Sequence, residues 1–292
     1  MAVDPNMIQV GDFAEVQSID FVNRFEGSLK GLMEALGVTR KIPKSVGSAI
    51  RTFKSTVTLE SGAVPPGELI PLSKVETEVD KTYVLGLSKW RKAITAEAIQ
   101  DQGFTNAVST TDDKLLKEIQ RGIRSDFFNF LGTGTGVAGG IGLQAALAQG
   151  WGATQTLFED ESVETIAFAN QADIADYVGN ASLTVQTMFG MNFVTGFTGI
   201  KAVIVSSKVP KGYIYATVPD NIVLAYAEVS GELDKAFTLT KDETGYIGVT
   251  HYPTGSNASF ETLAMSAMLL FAERLDGVVK VEIQSGLSPV GP

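Results

Sequence analysis

The segment RTFKSTVTLESGAVPPGELIPLSKVETEVDKTYVLGLS, residues 51–88, alternates apolar and polar side chains twice, with a Gly/Pro-rich break between the two runs. In residues 51–60, Phe53, Val57 and Leu59 fall on one face, against Thr52, Lys54, Thr56 and Thr58 on the other. Ser61-Gly62-Ala63-Val64-Pro65-Pro66-Gly67 supplies a turn. In residues 75–87, Val75, Val79, Tyr83, Leu85 and Leu87 share a face, opposed by Glu76, Glu78, Asp80 and Thr82. A period of two is the pattern of a β-strand with one covered face. The segment therefore predicts a long hairpin, each strand about ten residues or roughly 33 Å. A lone two-stranded ribbon is marginal in water, so its apolar face requires cover, most naturally from another copy of the chain. Phe53, Val57, Leu59, Val75, Val79 and Tyr83 are the candidate residues of that contact.

Upstream, residues 1–16 show little periodicity. Ser18 can cap a helix running to about Leu36, with Phe21, Val22, Phe25, Leu29, Leu32, Met33 and Leu36 on one stripe. Arg40, Lys41, Lys44, Arg51 and Lys54 follow, with no acid between Glu34 and Glu60. Downstream of the hairpin, residues 111–131 predict a helix capped by Thr110 or Thr111. Asp112 and Asp113 lie in its first turn, where acids suit the helix dipole. Its stripe is Leu115, Leu116, Ile119, Ile123, Phe127, Phe130 and Leu131, and Lys114 and Glu118 stand at i, i+4. The glycines of 132–142 end it as a flexible loop. Residues 143–180 look helical in two or three pieces, one of them 162–178. From Ile200 the texture changes to strands at 201–206, 212–217, 222–229, 237–240, 246–252 and 278–283; 260–271 fits either a helix or a strand. The tail 285–292 is rich in Gly, Pro and Ser.

Composition excludes several kinds of chemistry. The 292 residues contain no cysteine, which rules out disulfides and thiolate metal sites. The single histidine, His251, sits in a Val-Thr-His-Tyr strand pattern and cannot form a His–His metal site. No run approaches the roughly 20 apolar residues of a membrane-spanning helix, and the first residues lack a secretory pattern. The net charge of −10 is uneven: residues 131–292 carry 7 basic and 16 acidic residues, residues 1–130 carry 16 and 17. Such an acidic surface disfavours nucleic-acid binding.

Gly134-x-Gly136-x-x-Gly139 matches a dinucleotide fingerprint, with Glu159 and Asp160 about 20 residues on. That chemistry needs a strand before the glycines and a helix N-terminus after them; here an amphipathic helix precedes, so a structural use is expected. No P-loop or GxSxG elbow occurs. The acid groups Asp112-Asp113 and Glu159-Asp160-Glu161 precede helical patterns and read as dipole partners rather than catalytic carboxylates. Lys89-Trp90-Arg91-Lys92 mixes basic and aromatic residues as a nucleic-acid patch would, but fits the base of the hairpin better. Neither catalytic, cofactor nor metal residues are assigned, and no enzyme activity is expected.

The order of these elements resembles the major capsid proteins of tailed bacteriophages, which have the Hong Kong 97 fold. Three stretches carry the resemblance. They are the hairpin return Val84-Leu85-Gly86-Leu87-Ser88-Lys89-Trp90-Arg91-Lys92-Ala93-Ile94-Thr95, then Val203-Ile204-Val205-Ser206-Ser207-Lys208-Val209-Pro210-Lys211-Gly212, then Phe271-Ala272-Glu273-Arg274-Leu275-Asp276-Gly277-Val278-Val279-Lys280-Val281. The resemblance spans nearly the whole chain. It implies an α+β fold with an N-terminal arm (1–50), an extended loop (51–92), a peripheral domain with a long spine helix (93–150) and an axial domain with a central mixed sheet (151–236). Peripheral return strands (237–275) and a last axial strand with the tail (276–292) complete it. It favours strands over 260–271. It also implies a virion component, assembled in a host cytoplasm from hexamers and pentamers of itself. Such a shell is icosahedral or prolate and encloses double-stranded DNA without reading its sequence, with no membrane involved. A portal protein is an expected partner. Only about 50 residues precede the loop, so a separate scaffolding protein is expected too. A tail-tube component and a nucleotide-binding enzyme are the competing readings; the long hairpin, useless to a soluble enzyme, discriminates against the latter.

Overall fold

The computed structural model describes residues 40–65, 67–158, 163–178, 185–188, 191–194, 199–228, 232–242 and 245–285, with backbone alone for 185–188, 191–194 and 232–234. The expected N-terminal helix, the acids 159–161 and the tail 286–292 lie outside these residues.

The extended hairpin is present: β2 (Ala49–Thr58) pairs antiparallel with β3 (Lys74–Val84) as a separate two-stranded sheet, preceded by the short β1 (Lys41–Pro43). Leu85, fully buried, closes the hairpin at its root and leads into β4 (Ser88–Thr95). A short helix α1 (Ala96–Gln102) is capped by the Thr95 hydroxyl, which accepts from the Ala98 N–H.

The spine helix α2 runs Thr111–Leu131, matching expectation. Its start differs. A π-helical turn, Thr105–Thr110, runs straight into it, so Thr110 is already helical and caps nothing. The Thr111 hydroxyl donates back to the Ala107 and Val108 carbonyls instead. Glu118 pairs with Arg121 at i+3 rather than with Lys114. The N-terminal half of the spine packs Ile119, with Leu115 and Leu116, on Ile247, Val249 and Ala264. The C-terminal half buries Phe127, Phe128 and Leu131 against Ile166, Phe168 and Ile204. Each such aromatic contributes about 1.5–3 kcal/mol by burial.

Three sheets meet along this helix. The four-stranded sheet has the order β12-β13-β14-β4, from Thr240–Lys241 (β12), Ile247–Thr254 (β13), Ser259–Ser266 (β14) and β4. The three-stranded sheet joins β1, β11 (Ile222–Tyr226) and β15 (Met268–Ala272). The seven-stranded sheet runs β5-β16-β10-β6-β9-β8-β7. Its strands are Gly136–Ile141 (β5), Thr165–Ala169 (β6), Val185–Met188 (β7), Met191–Val194 (β8), Ile200–Val205 (β9), Tyr213–Thr217 (β10) and Val279–Gln284 (β16). It is mixed: β5–β16 and β6–β9 are parallel, the other pairs antiparallel. Helices α3 (Gly142–Leu157) and α4 (Gln171–Val178) cover one face, packing Leu147 and Ile174 near Val203, Ile214 and Val281. The spine covers the other.

The structure corrects three sequence expectations. The glycine run is not a loop throughout: residues 136–141 form edge strand β5, paired in register with β16. Glycine's weak strand preference hides a strand whose stability comes from its neighbour. Second, 162–178 is not one helix. Thr165–Ala169 is strand β6, with all five residues buried; a strand covered on both faces shows no alternation. Third, residues 232–237 form a short helix α5 (Glu232–Phe237), so Phe237 ends a helix instead of starting a strand. Helix α3 spans residue 150 and packs on the seven-stranded sheet. Residues 260–271 are strands, β14 and β15.

Candidate assembly surface

The register of the hairpin sets its two faces. Phe53 stands opposite Val79, Ser55 opposite Thr77 and Val57 opposite Val75. These pairs share one face, and the Ser55 and Thr77 hydroxyls are hydrogen bonded at 3.0 Å. Lys54/Glu78 and Thr56/Glu76 occupy the other. The apolar ladder is wet: Phe53 is 59% exposed, and Val57, Leu59, Val75 and Val79 are exposed as well.

Tyr83 departs from the expected set. A β-bulge between Thr52 and Phe53 shifts the register, so that Ile50 pairs with Tyr83 and Thr52 with Lys81. A bulge re-aims the side chains beyond it. Below it Thr52 is buried, its hydroxyl taking the Lys81 N–H at 3.2 Å. Tyr83 lies 5.0 Å from Phe271 and 6.0 Å from Phe130, ring centre to ring centre. Burial pushes its phenol above the ordinary range, and the Asp80 charge adds to this. Tyr83 belongs to the subunit's own core, whereas the other five residues project beyond it.

The turn holds apolar residues that the sequence reading passed over. Leu69 and Leu72 are 94% and 92% exposed, and Ile70 is exposed beside them. Their signal was legible: Leu69-Ile70-Pro71-Leu72 is an apolar run in a polar turn. With the ladder they add to the uncovered apolar side chains of the hairpin and its turn, the pattern of an interaction surface.

The other motifs have structural uses. A Cβ on Gly136 would lie 2.7 Å from the Asp276 carbonyl, and one on Gly140 2.5 Å from the Ala146 nitrogen. These glycines allow β5 to approach β16 and α3. The strand also begins at the second glycine of the fingerprint rather than ending before the first, so the amides are not arranged as a phosphate cradle. Lys89-Trp90-Arg91-Lys92 is divided by the pleat of β4. Trp90 joins the spine cluster, and Lys92 is part-buried, with Asp112 at 2.8 Å. Arg91 turns to Glu261 at 3.6 Å. Asp112 also meets His251 Nε2 at 2.7 Å. Among the described residues no group of three or more His, Cys, Asp or Glu is placed to hold a metal, and no helix is long and apolar enough to cross a membrane.

No family model and no curated protein matches the sequence. Solved structures do match in fold. The capsid of the native GTA particle superimposes with a TM-score of 0.60 at 10% identity, covering 88% of this chain and 91% of that one. The capsid subunit of cyanophage A-1(L) gives 0.59 at 11%, covering 92% and 96%. The SrpI encapsulin of Synechococcus elongatus PCC 7942 gives 0.56 at 14%, covering 87% and 90%. The chain thus has the fold of shell-forming capsid subunits. The spine helix, the seven-stranded mixed sheet and the extended hairpin together make an α+β fold like that of these capsid structures.

Proposed function

We propose that this chain is the major capsid subunit of a tailed bacteriophage, a structural protein rather than an enzyme. It associates with itself into hexamers and pentamers, which close into an icosahedral or prolate shell around double-stranded DNA. The observation that carries the reading is the hairpin: an apolar ladder and an apolar turn, both uncovered in the single subunit. Repeated heterologous contacts that curve and close produce shells. The acidic balance of residues 131–292 suits a container that must not bind its contents tightly. The subunit is then a virion component, assembled in the host cytoplasm with a scaffolding protein and a portal protein.

Electron microscopy of the chain expressed alone and with a candidate scaffold tests this. Closed shells of uniform size support it. A chain that remains monomeric across concentration, salt and scaffold co-expression overturns it. The encapsulin likeness favours a second reading, a shell that holds no genome. Nuclease-protected double-stranded DNA in particles from infected or induced cells separates the two.

A further inference from the structure

A groove of about 430 Å³ runs along the spine helix. Ile119, Ile123 and Phe130 stand in its helical wall, with Trp90 and Met268 in the rest of the lining. Gly122 lies in the helical wall with nothing within 4 Å of where its Cβ would be, so a second backbone can approach the spine closely there. The Ser266 and Tyr83 hydroxyls, also in the lining, are buried and have no hydrogen-bond partner among the described residues. Buried polar groups are seldom left so. The groove therefore calls for an occupant that brings apolar side chains and polar backbone together.

We infer that the occupant is the hairpin turn Leu69-Ile70-Pro71-Leu72 of a second copy of the chain, an assignment that rests on the shell reading and gives it a receiving site. The turn supplies both halves of what the groove lacks. Leu69, Ile70 and Leu72 are its uncovered apolar side chains. Residues 69–72 also lie beyond the last ladder pair, Thr58–Lys74, so their backbone polar groups are outside the ladder and can meet the two hydroxyls. The charges agree. The charged residues in the groove lining are the acids Glu118 and Asp126, and Lys74 follows the turn, with Glu68 on the far side of the apolar run. Lys74 pairs with Glu76 in the single subunit, but both are exposed, and such a pair is weak enough to exchange. Leu72 set over Gly122 brings Lys74 to Asp126: two extended residues span roughly 7 Å and four helical residues roughly 6 Å.

The length of the ribbon requires that the turn come from another copy. Tyr83 lines the groove of its own subunit, and nine residues of β3 separate it from Lys74, roughly 30 Å of paired strand. A turn held at that distance stands outside its own groove. Each subunit then carries a turn at one end and a groove at the other, a head-to-tail contact of the kind that closes into rings.

The absence of native cysteine makes the test clean. In the full chain under assembly conditions, Leu72→Cys with Gly122→Cys should cross-link under mild copper–phenanthroline oxidation. A non-reducing gel should show a ladder of covalent oligomers that stops at the closed ring. Glu78→Cys with Gly122→Cys moves the first thiol to the polar face of the ribbon, roughly 20 Å from Leu72. That pair should react at least tenfold more slowly, since bridging needs Cα atoms within about 7 Å. In a second measurement, Gly122→Trp fills the groove from an exposed helix position. Circular dichroism should stay near native while the assembled fraction in sedimentation falls at least tenfold. Bonds within one chain, equal rates for the two pairs, products that stop at dimers, or wild-type assembly of Gly122→Trp would each overturn the assignment. Closed shells without the Leu72–Gly122 bond overturn the groove and leave the capsid reading standing. A covalent ladder without closed shells does the reverse.

Discussion

His251 Nε2 lies 2.7 Å from Asp112 Oδ2, joining strand β13 to the first turn of the spine helix. On the other side Lys92 Nζ stands 2.8 Å from Asp112 Oδ1 and donates to the Val108 carbonyl and the Thr111 hydroxyl. Lys92 and His251 flank Thr262 in one row across β4, β14 and β13. One carboxylate thus fastens the helix to two strands of the sheet. Burial holds the Lys92 ammonium below its ordinary range, and Asp112 opposes the shift.

Removing that carboxylate leaves a nearly buried ammonium without its counter-charge. Breaking such a pair from one side typically costs about 3–5 kcal/mol. Both partners here are part-buried, so Asp112→Ala should lower the urea midpoint of the dispersed subunit, with a loss of unfolding free energy at or below the lower end of that range. Asp112→Ala combined with Lys92→Met, which removes both charges, should recover most of the loss. Equal midpoints for wild type and Asp112→Ala would show that the junction carries no load.

The hairpin beyond its bulge should matter to assembly and not to folding. Replacing residues 57–79 with a short Gly/Ser turn retains Ile50, Tyr83 and Leu85, which form the root. The variant should be soluble, with near-native circular dichroism, and should fail to form stable shells. A milder change, Leu69→Ser with Ile70→Ser and Leu72→Ser, should weaken shells without altering the subunit's melting temperature. Aggregation of the first variant as an unfolded chain would mean that the ribbon belongs to the core.

Glycine-to-alanine substitution separates packing from ligand binding in the 134–140 segment. Gly140→Ala pushes a methyl against the backbone of α3 at Ala146. Overpacking of this kind costs typically about 1–3 kcal/mol, and the melting temperature should fall accordingly. Millimolar NAD, NADP, FAD or ATP should leave the wild-type melting temperature unchanged. A ligand present at 100 times its dissociation constant would add about 2.7 kcal/mol and be plainly visible.

Acid should loosen the turn before β16. Arg274 donates to both oxygens of Asp276, at 3.2 and 2.8 Å, and holds this carboxyl below its ordinary range against the opposing effect of burial. A carboxyl whose value is lower folded than unfolded stabilises the fold above the unfolded value, near 3.9. The contribution is lost as pH falls through that value toward the folded one. Between pH 5 and pH 2.5, urea midpoints of Asp276→Asn should fall less steeply than those of wild type. Parallel curves would show that the pair is uncoupled from unfolding.

The parts legible in the sequence are those whose two faces differ in polarity. The spine helix shows its period because one side is packed and the other wet, and the hairpin strands show theirs because apolar and polar side chains alternate between their two faces. β6 shows none, since Thr165–Ala169 is covered on both faces, and β5 is held by its neighbour rather than by its own residues. For the candidate surface, the ladder Phe53, Val57, Val75 and Val79 could be read from alternation. The bulge at Thr52/Phe53 could not, because one inserted residue leaves no compositional trace, and it decides that Tyr83 turns inward. Leu69, Ile70 and Leu72 were missed for the opposite reason: a turn has no period to read.

The root of the hairpin determines how the ribbon responds to force. Gly47 and Leu85, with Ser48, continue the backbone hydrogen bonding past the end of β2 and β3, at 2.8 and 3.1 Å. Beyond Gly86 and Leu87 the same chain becomes β4, bonded along eight residues to β14. A pull along the ribbon therefore loads both ladders in shear, with many bonds sharing it at once, whereas a sideways push peels them one at a time. The ribbon is a cantilever built into a sheet at Leu85, stiff against tension and yielding to bending.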